Sequence, residues 1–312
     1  MTERLVTHLR HVDLAVPDFE RQRAFFRDIW GLVEVGSDSG LSYLAAEGSP
    51  EQYVVRLRRA EAKRLDLIAF GAADQAAVDA LAERLVAGGV HLATEPGPLQ
   101  TMGAGYGLRF FDIDGRTVEV SADVAVRRHR RLEEGESVPV RLSHVVVNSD
   151  EPEATRAFYE QHLGFALSDT LWSRHMGELM YFMRCNPLHH SLAIARGPHV
   201  SVHHVSFELR GLDEYLRGTG RVLRAGHTKV WGPGRHLAGN NTFTYILDPS
   251  GNTMEYTTEL STLDEDTWHP SIHDVDDPNT QDQWGIADPM SEMIAQQSFN
   301  DVDRGVFVAP PI

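Results

Sequence analysis

Three residues in the C-terminal half of the sequence have the types and spacing of a metal site. His144 begins the strand-like run HVVV, His204 begins a second run, HVSF, and Glu255 lies in a third, MEYT. Alternate side chains of a strand share one face, so neighbouring strands can direct two imidazoles and one carboxylate to a common point. Two histidines and one carboxylate on one face of a metal leave open positions opposite, which suits Fe(II) oxygen chemistry. The pattern therefore predicts a non-haem Fe(II) site at these three residues.

Three further polar residues of the same half are candidates for acid/base chemistry beside that site. His190 lies fourteen residues before His204, His236 follows the Gly/Pro-rich run WGPGR, and Tyr245 lies on the strand that enters the turn at Asp248. A histidine with an ordinary pKa of about 6.5 can accept and return a proton near neutral pH. We therefore expect these side chains to act on a substrate held at the metal.

The sequence contains an internal duplication. The segment LRHVDLAVPDFERQRAFFRDIWGL resembles LSHVVVNSDEPEATRAFYEQHLGF, and LRFFDIDGRTVEVS resembles TYILDPSGNTMEYT. His11 precedes Glu119 by 108 positions and His144 precedes Glu255 by 111, so the copies differ by three residues of insertion. Self-similarity at a fixed period indicates repeated structural units, here two halves of about 120 residues.

The two copies differ in their chemistry. Counting from the shared Phe70 and Phe207 aligns His11, Leu67 and Glu119 with the three candidate ligands. Leu67 offers no ligand atom where the second copy has a histidine, so we expect the first copy not to bind a metal tightly. The positions that correspond to the acid/base candidates are Tyr53, Gln100 and Arg109. The second copy keeps both the candidate metal ligands and the acid/base candidates, and the first copy has lost both groups. The two groups of residues are therefore predicted to work together.

The elements that position these residues follow from the same repeats. Helical periodicity predicts helices over 74–88 and 212–225, each beginning the second sub-repeat of its half. We predict an α+β fold of tandem βαβββ modules, in which two domains are each built from two modules with curved sheets around a cavity. The expected divisions are an N-terminal domain at 1–130, a metal-binding C-terminal domain at 137–262 and a tail at 263–312.

Composition limits the classes of partner. The formal net charge of −16 argues against nucleic-acid binding, because phosphate neutralisation needs clustered Lys and Arg. No apolar run approaches the roughly 20 residues that cross a bilayer, so no membrane partner is expected. The single cysteine, Cys185, excludes an intrachain disulfide framework and is typical of a reducing compartment, so we expect a cytoplasmic location.

At these residues the sequence resembles the type I extradiol catechol dioxygenases of the vicinal oxygen chelate (glyoxalase/bleomycin resistance/dioxygenase) superfamily. Within them it is most similar to the homoprotocatechuate 2,3-dioxygenase and catechol 2,3-dioxygenase branch. The resemblance covers residues from about 8 to 262 and rests on HHVSF, GPGRH and YILDPSGNTME. It implies that the three candidate ligands bind iron and that His190 is a second-sphere acid/base group. It also implies that His236 and Tyr245 hydrogen-bond a metal-bound catecholate oxygen.

The resemblance further implies a ring-cleaving enzyme that inserts O2 into a small aromatic diol and forms a muconic semialdehyde-type product. Fe(II) is the implied cofactor, with Mn(II) as the alternative, O2 is the co-substrate, and a homo-oligomer, as in tetrameric relatives, is the implied assembly. Trp231 stands where the homoprotocatechuate enzymes have an arginine, which disfavours a carboxylated catechol. The tail, with Trp268 and Trp284, is predicted to form a lid.

Two other functions remain open from the sequence. One is a metal-dependent isomerase or transferase of the glyoxalase kind, built from the same modules with another divalent metal. The other is a non-catalytic small-molecule-binding protein of the same superfamily. An intact metal triad argues against the second, and the presence of all three acid/base candidates in one half favours ring cleavage over the first.

Overall fold

The computed structural model describes residues 2–288 and 297–311. Each half of the chain repeats the order strand, helix, three strands twice, so the predicted α+β fold of tandem βαβββ modules is confirmed. The strands of the first half are β1 (Val6–Val16), β2 (Val33–Asp38), β3 (Leu41–Ala45), β4 (Val55–Arg59), β5 (Arg64–Ala72), β6 (Leu92–Pro98), β7 (Tyr106–Phe111) and β8 (Thr117–Ala122). Those of the second half are β9 (Arg141–Ser149), β10 (Ala166–Ser173), β11 (Gly177–Arg184), β12 (Leu192–Arg196), β13 (Ser201–Glu208), β14 (Lys229–Arg235), β15 (Thr242–Leu247) and β16 (Thr253–Thr257).

Helices cover one face of each sheet. They are α1 (Phe19–Ala24), α2 (Gln75–Ala87), α3 (Pro152–Phe158) and α4 (Leu212–Arg224), and the tail adds α5 (Pro278–Gln281). Helices α2 and α4 confirm the two that periodicity predicts. Helices α1 and α3 each continue into a π-helical turn that ends at a glycine with positive φ, Gly31 and Gly164, a backbone conformation that glycine adopts without steric penalty. Among the residues described, none of the helices has the length and apolar character that spanning a membrane requires.

The two sheets have the same topology, and the second is one strand longer. The first sheet has the order β2-β3-β4-β1-β5-β8-β7-β6, and the second has the order β14-β15-β16-β13-β9-β12-β11-β10. A further strand from the tail, β17 (Ser271–Asp274), pairs in parallel with β10 and extends the second sheet. The strands that carry the three candidate ligands, β9, β13 and β16, are therefore neighbours in the middle of the second sheet.

One hydrophobic core runs through both halves. Trp30, at the end of the first-half helical segment, stacks on Tyr256 of β16 with ring centroids 3.9 Å apart, and both side chains are fully buried. Burying an aromatic side chain of this size contributes roughly 3 kcal/mol. The contact holds strand β16, which carries the candidate ligand Glu255, against the first half. The division into domains at 1–130 and 137–262 with a lid at 263–312 stays a proposal, and residues 289–296 and 312 of the lid lie outside the described part of the chain.

Candidate metal centre

The second sheet brings the three predicted ligands together. In the strand register Ser206 lies beside both His144 and Glu255, and His204 lies two residues before Ser206 on the same strand. The distances are 2.9 Å from His144 Nε2 to Glu255 Oε2, 3.5 Å from His204 Nε2 to the same oxygen and 3.4 Å between the two Nε2 atoms. Ligand atoms about 2.1 Å from one metal and at right angles lie about 3 Å apart, so this spacing fits one shared cation.

The environment of Glu255 shows whether these residues suit a metal ion. Its side chain is completely buried, and within the described residues neither carboxylate oxygen accepts a hydrogen bond of ordinary geometry. A buried carboxylate without a partner is strongly destabilising. A divalent cation held by Glu255, His144 and His204 supplies the missing partner, so the residues present fit a metal.

The remaining ring nitrogen of each histidine ligand is already engaged. His144 Nδ1 lies 3.1 Å from Ser143 Oγ, and His204 Nδ1 lies 2.7 Å from His203 Nδ1. These contacts orient the rings and leave Nε2 of both for a metal, the usual arrangement around metal-binding imidazoles. Burial, reinforced by the neighbouring histidines, holds the pKa of His204 well below its ordinary value, so the ring is neutral and able to bind a cation.

A β-bulge explains how two consecutive histidines share one cavity. Consecutive side chains of a regular strand point to opposite faces, but the pairing of β13 with β9 shifts its register between Val202 and His204. His203 and His204 therefore both line the cavity. The dipeptide HH is visible in the sequence, but the bulge that gives His203 this place is not, and the sequence analysis gave His203 no role.

His190 lies directly beside the candidate ligands. It lies two residues before the start of β12, its ring centroid is 4.2 Å from that of His144, and it is 2% exposed. Burial and the nearby imidazoles lower its pKa well below the ordinary value, so the ring is neutral and can accept a proton. Its Nδ1 lies 2.9 Å from Nδ1 of His189, a neighbour that the sequence analysis did not select.

His236 and Tyr245 form a hydrogen-bonded pair on the opposite side of the cavity. The carbonyl of Gln281 lies 2.9 Å from His236 Nδ1 and can only accept, so Nδ1 carries the proton. Burial lowers the pKa of His236, and in the neutral ring Nε2 then accepts from the Tyr245 hydroxyl at 2.9 Å. Burial and the charge of Glu255 raise the pKa of Tyr245 well above its ordinary value, which keeps it a phenol.

These residues surround a cavity of about 140 Å³. The sheet order makes β16, β13 and β9 its floor, and the two flanks of the curved sheet form its walls. The wall on the His190 side includes Phe182, Met180 and Leu171, and the wall on the Tyr245 side includes Trp231. From the tail, Thr280, Gln281 and Gln297 complete the lining. One wall is therefore apolar, the floor can bind metal, and the tail contributes to the enclosure.

The first half shows how the duplicated site has changed. Ala69 pairs with both His11 and Glu119, as Ser206 pairs with both His144 and Glu255 in the second half. Leu67, two residues before Ala69, therefore takes the place of His204, as the comparison of the two copies predicts. The Glu119 carboxylate accepts a hydrogen bond of 2.9 Å from Arg109 Nε and forms an ion pair with Nη2 of the same guanidinium, whereas Glu255 has no such partner within the described residues. The charge of Glu119 is thus neutralised by a guanidinium.

Tyr53 and Arg109 occupy the positions of His190 and Tyr245, as predicted. Gln100 was wrong as the counterpart of His236. The backbone amide of Leu99 donates to the carbonyl of Gly105, and that of His236 donates to the carbonyl of Asn241. Gly105 and Asn241 are equivalent because each lies four residues before the matched pair Arg109 and Tyr245, so Leu99 is the counterpart of His236. The bulges in β6 and β14 are equivalent, but the loop from Leu99 to Gly105 is one residue longer than the loop from His236 to Asn241, and this displaces the count by one.

Comparisons with known proteins give one family for both halves. Residues 8–120 and 141–256 match the sequence profile of the Glyoxalase/Bleomycin resistance protein/Dioxygenase superfamily. The chain is 30% identical to a metapyrocatechase from Pseudomonas sp. (strain CF600), over 78% of this chain and 83% of that protein.

Two solved structures share the fold. A Mn(II)-bound glyoxalase from Novosphingobium aromaticivorans is 40% identical with a TM-score of 0.91 and 98% of each chain covered. Homoprotocatechuate 2,3-dioxygenase from Arthrobacter globiformis is 22% identical with a TM-score of 0.85, covering 97% of this chain and 94% of that one. At this identity the second likeness shows the fold alone.

Proposed function

This chain belongs to the glyoxalase/bleomycin resistance protein/dioxygenase superfamily, and we propose that it is an extradiol dioxygenase that cleaves the ring of a small aromatic diol. The observation that carries the proposal is the buried carboxylate of Glu255, which within the described residues accepts no hydrogen bond of ordinary geometry and lies beside His144 and His204, with His190 and Tyr245 in the same cavity. Relatives named metapyrocatechase support the reaction class.

The metal is proposed to be held by His144, His204 and Glu255. When bound, Fe(II) supplies adjacent open positions at which a chelating diol and dioxygen are held side by side. These three side chains would hold the ion against the floor of the cavity, whose remaining space would receive the substrate. Mn(II) remains an alternative to Fe(II), since oxygen and imidazole ligands suit both ions and a similar protein is Mn(II)-bound.

The side chains around the metal have separate tasks. The neutral ring of His190 is placed to accept a proton from one hydroxyl of the diol and would return it later in the reaction. The Tyr245 hydroxyl, whose proton is donated to His236, is placed to accept a hydrogen bond from the other hydroxyl of the diol. The apolar wall and the tail residues keep bulk water from the reacting groups.

The cavity lining limits the ring substituent. Among the described residues that line it there is no Lys or Arg, and the sequence of residues 289–296 contains neither. The indole N–H of Trp231 is already donated to the carbonyl of Asp288 at 2.9 Å. A carboxylate on the ring would be buried without a cationic partner, which is costly. We therefore propose an uncharged catechol, unsubstituted or with an apolar group.

An isomerase of the glyoxalase kind is the second candidate, favoured by the 40% identity to the Mn(II)-bound glyoxalase. Isomerisation moves protons within one substrate and consumes no oxygen, whereas ring cleavage incorporates O2. The test is to purify the protein without air, load it with Fe(II), add 4-methylcatechol and record oxygen uptake together with the visible absorbance of a ring-opened product. Stoichiometric uptake supports the proposal; turnover of an α-ketoaldehyde–thiol adduct without uptake would replace it.

Assembly and location stay predictions. We propose a homo-oligomer, which light scattering on the purified chain measures directly. A cytoplasmic location is the proposal from the single cysteine: Cys185 is buried, and burial raises the pKa of its thiol to about 11, so it is protonated and unreactive at neutral pH.

A further inference from the structure

Asp169 lies on β10, outside the cavity lining, and is buried. Its carboxylate accepts hydrogen bonds from His189 Nε2 at 3.0 Å, from His273 Nε2 at 2.9 Å and from the amide of Ser271 at 2.8 Å. Burial raises the pKa of this carboxyl, but these three donors outweigh it and lower the pKa to about 2. Two of the donors, Ser271 and His273, belong to the tail strand β17.

The hydrogen bonds determine where the protons sit. An ionised carboxylate only accepts, so His189 carries its proton on Nε2. Because burial lowers the pKa of His189, the ring is neutral and its Nδ1 is an acceptor. His190 Nδ1, 2.9 Å away, must then be the donor in that contact. The nitrogen of His190 that remains unprotonated is Nε2, on the ring that lines the cavity.

We propose that Asp169 and His189 are positioning residues that fix the tautomer of His190, with its accepting nitrogen available to the substrate, and that His273 anchors this relay to the tail. The role of His190 as the proton acceptor rests on the proposed function. The tautomer itself does not. A carboxylate that sets the tautomer of a catalytic imidazole is a known device in enzymes; here a second imidazole is inserted between the two.

The first half lacks every part of this relay. By strand register Gly36 stands where β10 has Asp169, and the residues at the places of His189 and His190 are Gln52 and Tyr53. In the part of the chain that the structure describes, the first sheet has no strand equivalent to β17. The copy whose carboxylate is neutralised by Arg109 therefore also lacks the groups that would orient a base.

The first test uses His189. In His189→Gln the amide can donate to Asp169 and accept from His190, which preserves both hydrogen-bond directions; in His189→Leu neither is possible. We expect His189→Gln to retain kcat within a few-fold, and His189→Leu to lose about 10- to 100-fold in kcat at unchanged KM and metal content. Equal activity of the two variants, at either level, would overturn the relay.

The second test uses Asp169→Asn, whose amide can donate to His189 and reverse the polarity of the chain. Nitrogen-15 spectra of the metal-free protein, assigned with His190→Asn, report which nitrogen of His190 carries the proton. We expect protonation on Nδ1 in the wild type and a shift toward Nε2 in Asp169→Asn. Asp276→Asn, which alters an exposed tail carboxylate paired with Arg174, is the matched control and should change nothing.

The two proposals fail separately. A wild-type His190 protonated on Nε2 would refute the relay, whatever the enzyme does with catechols. Absence of catechol cleavage with the expected tautomer would refute the proposed function and leave the relay intact. Replacing His273 with Phe tests the anchor: we expect a smaller fall in kcat than for His189→Leu, and no change in the nitrogen-15 spectrum or in kcat would remove His273 from the relay.

Discussion

Tyr245 and Arg109 occupy the same position in the two halves, each directly opposite the glutamate of the neighbouring strand. Arg109 donates a hydrogen bond to Glu119 and forms an ion pair with it, while Tyr245 donates to His236 and, within the described part of the chain, leaves Glu255 without an Arg or Lys partner. One duplicated sheet thus contains a carboxylate that is satisfied internally and another that is available to a metal. The predictions below follow from this difference.

Metal binding should depend on the second half alone. His204→Leu, which reproduces Leu67 of the first half, removes one of three ligands, so we expect metal content to fall from about one per chain to under a tenth. His11→Asn is the matched control at the position of His144 and should keep one metal. Plasma emission spectrometry after anaerobic purification measures both. A second metal in the wild-type protein would contradict this prediction.

Loss of the proposed base should affect turnover and not binding. We expect His190→Asn to lower kcat by about 10²- to 10⁴-fold, the range for one acid/base group, with metal content intact. Tyr53→Phe changes the corresponding residue of the first half, whose buried hydroxyl has no hydrogen-bond partner within the described residues, and should leave kcat unchanged. Steady-state oxygen uptake at saturating catechol is the measurement, and wild-type activity in His190→Asn would remove it from the mechanism.

The substrate preference should follow charge. We expect kcat/KM for 3,4-dihydroxyphenylacetate to be lower than for 4-ethylcatechol by about 100-fold or more, because its carboxylate would be buried without a cation. Trp231→Arg should narrow that ratio, whereas Trp231→Phe, which keeps the wall apolar, should not. Comparable rates for the two catechols in the wild type would show that the carboxylate reaches solvent or an unrecognised partner.

Stability should respond to pH through Asp248, which accepts a hydrogen bond from Gln22 of the first half. Burial raises its pKa from 3.8 to about 6. Below pH 4 both folded and unfolded states are protonated; between pH 4 and 6 the unfolded state alone loses its proton, so stability falls as pH rises. We expect the free energy of unfolding of Asp248→Asn to rise relative to that of the wild type across this pH range, by about 3 kcal/mol at most. Urea unfolding at pH 4 and pH 7 measures the difference in free energy of unfolding between the variant and the wild type. An equal difference at the two pH values would refute this role of Asp248.

Much of the site could be predicted from the chain itself. The identities of His144, His204 and Glu255, the loss of the middle ligand at Leu67 and the helices at α2 and α4 follow from residue type, period and comparison of the two copies. Each of these depends on a pattern within a short segment or on counting between equivalent segments. Both kinds of information are present in a linear sequence.

Tertiary structure decided the rest, because it depends on where strands bulge and what packs against them. The bulge at His203 lets two consecutive histidines line one cavity. A loop that is one residue longer in the first half makes Leu99, not Gln100, the counterpart of His236. The contact of His273 with Asp169 joins residues 104 positions apart. Such contacts arise only when the tail strand lies along the edge of the sheet, so residue types alone do not predict them.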